Sequence, residues 1–311
     1  RRFRLSRNCS TRNWSSLARW HDRLADHTQM ELLKQFDLTG LIKRALDEDV
    51  GHGDITTAAT VPPGQMGRAR ITVKEPRMIL AGGVLIEKVV RMTGAEPRIG
   101  QLAPEGAELK AGDVLAEIDG RLAGLLIGER TALNFVQLLS GIATTTRAFV
   151  DAVAGTRAKI IDTRKTHPGL RIVEKYAVRV GGGHNHRLGL DSGVLIKENH
   201  VAAAGSVAKA VAGARKIAPH TLKVEIECET LEQVSEALAA KADVLLLDNM
   251  TLENIRKARA MAGPSVLLEV SGGVTLETVR AIAEAGADLI SVGALTHSAR
   301  AVDISMRIAV V

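Results

Sequence analysis

Between Gly155 and Met306 the sequence repeats one rhythm: a short apolar run, one or two polar residues, then a segment of helix length. The runs are Lys159-Ile-Ile-Asp162, Val194-Leu-Ile-Lys197, Val224-Glu-Ile-Glu227, Val244-Leu-Leu-Leu-Asp248, Val266-Leu-Leu-Glu-Val270 and Leu289-Ile-Ser-Val292. Continuous apolar runs of four or five residues suit strands buried on both faces, and six βα units in succession imply a parallel sheet covered by helices. The intervening segments, such as Leu231 to Ala240 and Leu252 to Met261, are rich in alanine and leucine with charges between them, as amphipathic covering helices require. An open doubly wound sheet is the alternative, but the placement of the polar residues favours a barrel. Nearly every run carries them at its carboxyl end: Asp162-Thr-Arg-Lys165, Lys197-Glu-Asn-His200, Glu225 with Glu227, Asp248-Asn249, Glu269 with Ser271-Gly-Gly273, and Ser291 with Gly293. In a βα barrel those ends converge on one mouth, so scattered positions become one cavity.

Upstream, a short helical pattern from Leu41 to Asp49 leads into the loop Gly51-His-Gly-Asp-Ile-Thr-Thr57. Strand-like stretches follow at Ala69 to Lys74 and Met78 to Ala81, then a helix from Val84 to Met92 and two short strands around a glycine turn between Glu105 and Ile118. A long helix from about Leu122 to Val153 joins this small α+β unit to the barrel, with Gly141 as its break or close-packing point. The expected division is a domain over 30–140 and a barrel over 141–311, with a last helix packing back on the first domain.

The net charge of +6 is unevenly spread. Residues 1–29 hold seven arginines against Asp22 and Asp26, so this stretch carries +5 and the remaining 282 residues +1. It also holds both tryptophans and has no apolar core of the kind a secretory signal needs. The stretch is read as an extension outside the fold, and its removal is expected to leave folding and activity intact; an Arg-rich organelle presequence is the alternative. No apolar run approaches the ~18 residues of a membrane span, and Cys9 and Cys228 cannot build a disulfide framework. A protein of the cytoplasm is expected. Beyond residue 29 the aromatic residues are Phe36, Phe135, Phe149 and Tyr176, too few for a basic, aromatic nucleic-acid surface.

The expected mouth has a cationic side, from Arg164, Lys165, His186, Arg187 and Lys197, and an anionic side, from Glu227 and Asp248. Arginine forks match carboxylates and phosphates, and lysine supplies a compact charge, so the substrate is multiply anionic. Two carboxylates suit a hard cation such as Mg²⁺ that shares substrate oxygens. Glu225 and Glu227 share a strand face, so both can point inward. Cys228 takes the opposite face and packs beneath a helix. Gly181-Gly-Gly183 is most simply a helix stop and turn, with a phosphate cradle as the alternative.

These residues also carry a family resemblance. Gly128-Glu-Arg-Thr-Ala-Leu-Asn134, Asp162-Thr-Arg-Lys-Thr166 with Pro168-Gly-Leu-Arg171, Lys175-Tyr-Ala-Val178, Asn185-His-Arg-Leu-Gly-Leu190, Ile196-Lys-Glu-Asn-His200, Leu247-Asp-Asn249 and Val292-Gly-Ala-Leu-Thr296 resemble quinolinate phosphoribosyltransferases, the carboxylating nicotinate-nucleotide pyrophosphorylases. The resemblance extends from about Leu41 to Met306. It implies an N-terminal α/β sandwich followed by an incomplete α/β barrel, and an Mg²⁺-dependent transfer of phosphoribosyl from phosphoribosyl pyrophosphate to quinolinate with loss of CO₂, in NAD biosynthesis. It further implies a homodimer or higher even oligomer in which Arg130 reaches the partner's substrate. Arg164, His186, Arg187 and Lys197 would hold the two quinolinate carboxylates, and Lys165 would sit near the leaving pyrophosphate. Glu227 and Asp248 would face the ribose and Mg²⁺, with Glu225 a competitor for the role of Glu227. Ser271, Gly272, Gly293 and His297 would line the 5′-phosphate. His167 and His184 depart from the pattern and are read as peripheral.

Two other readings remain at this stage. A related transferase of the same fold could act on nicotinate, although the Asn185-His-Arg187 and Lys197 set suits a dicarboxylate. Lys197 could also be the Schiff-base lysine of an aldolase-like barrel, against which its arginine-rich neighbours argue.

Overall fold

A computed structural model describes Leu33 and residues 38–311; the extension over 1–29 lies outside the described residues. Helix α1 (Leu38–Val50) buries Leu38, Ile42 and Leu46, one stripe at four-residue spacing. The next segment, expected as loop, contains the six-residue helix α2 (Ile55–Thr60), which starts where the Asp54 carboxylate accepts the N–H of Thr57 at 3.0 Å. Six residues are too few to show a helical period, so only the cap could have revealed it. Strand β1 (Met66–Val73) alternates exposed Met66, Arg68 and Arg70 with buried Gly67, Ala69 and Ile71. Strands β2 (Met78–Ile79), β3 (Arg98–Leu102), β4 (Glu108–Leu109) and β5 (Val114–Arg121) complete this region, with α3 (Gly83–Met92) between β2 and β3. β5 lies between β1 and β3, and β2 pairs with β4, all antiparallel.

The connecting helix α4 (Leu122–Ala152) runs unbroken for 31 residues. Gly141 is a close-packing point in it: a Cβ there would stand 2.1 Å from the Arg300 carbonyl oxygen. Two layers therefore meet on α4, with α3 on one side and the barrel helix α5 (Arg171–Val180) on another. Gly181 ends α5, and Cβ atoms at Gly181 and Gly183 would fall 2.5 Å from the Ala143 carbonyl oxygen and 2.8 Å from Thr146 Cγ2. The glycine triplet thus stops a helix and admits it against α4.

The six expected runs become β6 (Lys159–Ile161), β7 (Val194–Ile196), β8 (Val224–Cys228), β9 (Val244–Asp248), β10 (Leu267–Ser271) and β11 (Leu289–Ser291). They form one parallel sheet in the order β6-β11-β10-β9-β8-β7. Helices α6 (Glu198–Ala204), α7 (Val207–Ile217), α8 (Leu231–Ala239), α9 (Leu252–Ala262), α10 (Leu276–Glu284) and the short α11 (Ala294–His297) follow β7 to β11. Ser206, Thr230 and Thr251 cap α7, α8 and α9 by accepting backbone N–H groups three residues on. The barrel is incomplete because β6 and β7 pair with neighbours on one side only; next to β6, His184 forms a single parallel bridge with Ile161.

One element corrects the sequence reading. The chain ends on a strand, β12 (Ile304–Val310), and not on a helix. Ile304 and Met306 are buried while Ser305 and Arg307 are not, a period of two that a seven-residue segment shows only weakly. β12 pairs antiparallel with β1, from Gly67↔Val310 to Val73↔Ile304, and completes a four-stranded sheet in the order β12-β1-β5-β3. No helix among the described residues is long and apolar enough to cross a membrane.

Candidate active site

The carboxyl ends of the barrel strands enclose a cavity of about 300 Å³, lined by Thr163, Arg164, Lys165, His186, Arg187, Leu195, Lys197, Glu227, Leu246, Asp248, Glu269, Ser271 and Ser291. Eight of the twelve site residues expected from sequence are among them: Arg164, Lys165, His186, Arg187, Lys197, Glu227, Asp248 and Ser271. Gly293 and His297 lie beside Lys165, since a Cβ on Gly293 would meet Lys165 Cδ at 3.1 Å and His297 Nε2 at 3.2 Å. Gly272 stands behind Ser271 at φ +93°, where a Cβ would collide with Asn249 Oδ1 at 2.1 Å. Arg130 is exposed on α4 and is not part of the lining.

The cationic wall rests on a buried ion pair. The Asp162 carboxylate, just after β6, binds Lys175 Nζ of α5, Asn185 Nδ2 at 2.6 Å and the His186 N–H at 2.8 Å. Lys175 Nζ also donates to the His186 carbonyl at 3.1 Å, and Asn185 Nδ2 to that of Lys175 at 2.9 Å. Burial raises the Asp162 carboxyl and lowers the Lys175 ammonium from their ordinary values, while the attraction within the pair opposes both shifts. This cluster fixes the 185–187 segment and so aims the residues after it.

Arg187 donates to the Gly193 carbonyl at 3.0 Å through one guanidinium nitrogen, yet its Nε and that of Arg164 are buried without hydrogen-bond partners. Burial and the nearby Arg164 charge lower Arg187 from the ordinary arginine value, with Glu225 opposing. Two like charges lining one cavity form a site for an anion.

The two walls are not separate. Lys197 Nζ is ion-paired with Glu227 across the neighbouring strands β7 and β8. The contact engages Lys197 with a carboxylate, in keeping with a role as an ionic contact. On the next strand, Asp248 Oδ2 accepts from Asn249 Nδ2 at 2.8 Å, and the Asn249 N–H reaches the Ser271 carbonyl at 3.0 Å, latching the ends of β9 and β10. Asn249 takes φ +53° to do so. The Thr296 hydroxyl donates to the Lys165 carbonyl at 2.7 Å, which ties the 163–165 loop to α11.

Sequence reasoning assigned no role to Glu269 and left Glu225 as a competitor of Glu227. Both are buried, one layer deeper than Ser271 and Glu227 respectively, and both face His186 Nε2, at 3.2 Å for Glu225 and 3.6 Å for Glu269. Glu225 is not part of the cavity lining. Burial and the Glu225 carboxylate raise Glu269 well above the usual carboxylate range. These three residues bring potential ligand atoms within 4.8 Å of one another, but the hydrogen bonding disfavours a metal there. The Arg187 N–H donates to His186 Nδ1 at 2.7 Å, so the ring proton sits on Nε2 and points at the carboxylates. His167 and His184, read as peripheral, lie outside the lining: His167 Nδ1 meets the buried Glu174 at 2.5 Å, and His184 Nδ1 meets Arg179 at 2.5 Å. Cys228 is buried on the opposite face of β8, its thiol pushed up to about 12 mainly by burial.

Family models for quinolinate phosphoribosyl transferase match in two parts, the N-terminal domain over residues 54–140 and the C-terminal domain over 142–307. The chain belongs to the quinolinate phosphoribosyl transferase family. It is 47% identical over 270 residues to the carboxylating nicotinate-nucleotide pyrophosphorylase of Mycobacterium leprae, covering 85% of this chain and 95% of that one. To a decarboxylating quinolinate phosphoribosyltransferase of Nicotiana tabacum it is 39% identical over 292 residues, covering 88% and 83%. Among solved structures, NadC from Streptococcus pyogenes superposes with a TM-score of 0.85 at 41% identity, over 89% of this chain and 98% of that one. Family membership makes the chain a phosphoribosyltransferase built on an incomplete barrel.

Proposed function

We propose that this family member transfers the phosphoribosyl group of phosphoribosyl pyrophosphate to quinolinate with loss of CO₂, forming nicotinate mononucleotide and pyrophosphate for NAD biosynthesis. The observation that carries this reading is the pair of guanidinium residues, Arg164 and Arg187, lining one cavity beside Lys197. Quinolinate bears two adjacent carboxylates, which suit two forks and a lysine better than the single carboxylate of nicotinate does.

The rest of the cavity matches the transfer. As the bond from ribose C1 to pyrophosphate breaks, positive charge grows on C1, and Glu227 and Asp248 supply negative charge on the facing wall. Lys165 stabilises the departing pyrophosphate. The lone pair of the ring nitrogen forms the new bond to C1. The bond from the ring to the adjacent carboxylate then breaks, CO₂ leaves, and the electron pair stays on the carbon beside the positive nitrogen until it takes a proton from water. Ser271, Gly272, Gly293 and His297 are assigned to the 5′-phosphate, on their clustering around Ser271 and Lys165.

Glu227 and Asp248 end adjacent strands and offer oxygen donors to the same cavity, a set that fits a hard cation. Mg²⁺ held there would neutralise charge on the pyrophosphate. Substrate and cation together would draw Lys197 and Glu227 out of their mutual ion pair, each toward an opposite charge. Arg130 is assigned to the substrate of a second copy in a homodimer or higher even oligomer. In support, it is exposed beside Thr131 and Asn134, which line an outer groove of about 390 Å³ with Pro168 and Gly169. A cytoplasmic setting agrees with the two cysteines.

The deciding measurement compares phosphoribosyl transfer to quinolinate and to nicotinate while following CO₂. Transfer to quinolinate with one CO₂ per turnover is expected. Transfer to nicotinate alone would defeat the reading.

A further inference from the structure

We propose that Glu225 and Glu269 are positioning residues for the substrate's carboxylates, acting through His186, which they hold at one ring nitrogen while its other ring nitrogen holds the Arg187 backbone. The proposal rests on the reading that Arg187 binds quinolinate.

Each link is a contact already in place. The Arg187 N–H donates to His186 Nδ1 at 2.7 Å, so this nitrogen is an acceptor and Nε2 carries the proton. Nε2 faces Glu225 Oε2 at 3.2 Å and Glu269 Oε2 at 3.6 Å. Both ring nitrogens are therefore engaged within the protein, and the imidazole can turn about neither bond without losing a partner. The Arg187 guanidinium is held separately by the Gly193 carbonyl at 3.0 Å. With its main chain fixed by His186 and its head by Gly193, Arg187 is held in one orientation at the cavity wall.

The position of the two carboxylates argues against a direct role in binding. They are buried, at 8% and 2% exposure, and Glu225 lies outside the lining of the substrate cavity. Glu225 Oε2 at 3.2 Å and Glu269 Oε2 at 3.6 Å both face His186 Nε2 rather than the substrate. His186 and Glu269 line both the substrate cavity and a second cavity of about 390 Å³ at the amino ends of the strands, whereas Glu225 lines only the second. The trio is thus a partition across the barrel, and the substrate's half depends on groups that open toward the other half.

Steady-state kinetics of Glu225→Ala and Glu225→Gln tests this. Glu225→Ala is expected to raise KM for quinolinate about tenfold to a hundredfold, the scale of a misplaced binding group, with KM for phosphoribosyl pyrophosphate within about twofold of wild type. Glu225→Gln, which can still accept the Nε2 proton, is expected to recover most of the loss. In a His186→Ala background Glu225→Ala is expected to add nothing further. A folded Glu225→Ala enzyme with unchanged quinolinate KM, or one that loses as much without His186 as with it, overturns the proposal. An unchanged quinolinate KM in Arg187→Ala would instead overturn the assignment of the anion site. A readout on the wild-type enzyme needs no variant to fold: ¹⁵N spectra of histidine-labelled protein are expected to show the Nε2–H tautomer for His186, and an Nδ1–H ring defeats the proposal.

Discussion

Replacing Lys175 by methionine isolates the buried pair that aims the cationic wall. The side chains of Asp162 and Lys175 are 0% and 4% exposed, so the substitution strands a carboxylate with no water to solvate it. Asp162 keeps the Asn185 amide at 2.6 Å and the His186 N–H at 2.8 Å, but these donors are neutral and cannot replace an ammonium. Removing one partner of a buried ion pair costs ~3–5 kcal/mol. At about 2–4 °C per kcal/mol for a domain of this size, the melting temperature should fall by roughly 6–20 °C. Without Lys175, whose charge opposes the effect of burial, the folded-state carboxyl of Asp162 rises further above its unfolded value. The penalty is therefore full at neutral pH and shrinks as the pH falls and the folded protein takes up the proton. Thermal melts at pH 5 and pH 8 of wild type, Lys175→Met and Lys175→Met/Asp162→Asn would check this. The double variant should regain much of the loss, because an amide carries no charge and its oxygen still accepts the His186 N–H, although its NH2 group then faces the Asn185 donor. A Lys175→Met melt within about 1 kcal/mol of wild type, or a penalty that persists in the double variant, would refute the reasoning.

Three further outcomes are expected. Gly141→Ala should destabilise the fold by ~1–3 kcal/mol or more, since its methyl group would stand 2.1 Å from the Arg300 carbonyl oxygen; Gly213→Ala, in α7 with nothing within 4 Å, should be neutral or slightly stabilising in the same melts. Lys165→Ala should lower kcat by about a hundredfold while quinolinate KM changes little, and the reverse pattern would move Lys165 to substrate holding. Cys228, buried with its thiol raised to about 12, should stay unmodified when the native protein meets an alkylating reagent at pH 8, and react only after unfolding, as read by peptide mass.

What could be seen in the sequence followed from periodicity. Six apolar runs located six strands to within a residue or so at each end, and the polar residues at their carboxyl ends marked a shared cavity, because a parallel barrel brings those ends together whatever the loops between them do. Contacts that depend on which strands are neighbours were hidden. The run order gives no direct view of Lys197 meeting Glu227, or of Glu225 and Glu269, two strands apart on β8 and β10, closing on one imidazole. Asp162 could be seen only as a strand end and Lys175 only as part of a family block; their pairing needs α5 folded back over β6. The helix expected at the carboxyl end failed for a different reason. Ile304 to Val310 is short and weakly patterned, and pairing with β1 decided its conformation.

That last strand has a consequence for how the polypeptide is made. About 230 residues separate the end of β1 from the start of β12. At a synthesis rate of ~5–20 residues per second, roughly 10–50 seconds pass between the emergence of one and of the other. Throughout that interval the outer edge of β1 offers its backbone donors and acceptors to any passing strand. The earlier of these two domains to leave the ribosome is thus the later to be finished. A nascent chain stalled anywhere in the barrel would carry an open sheet edge, a natural handle for the chaperones and proteases that survey unfinished proteins.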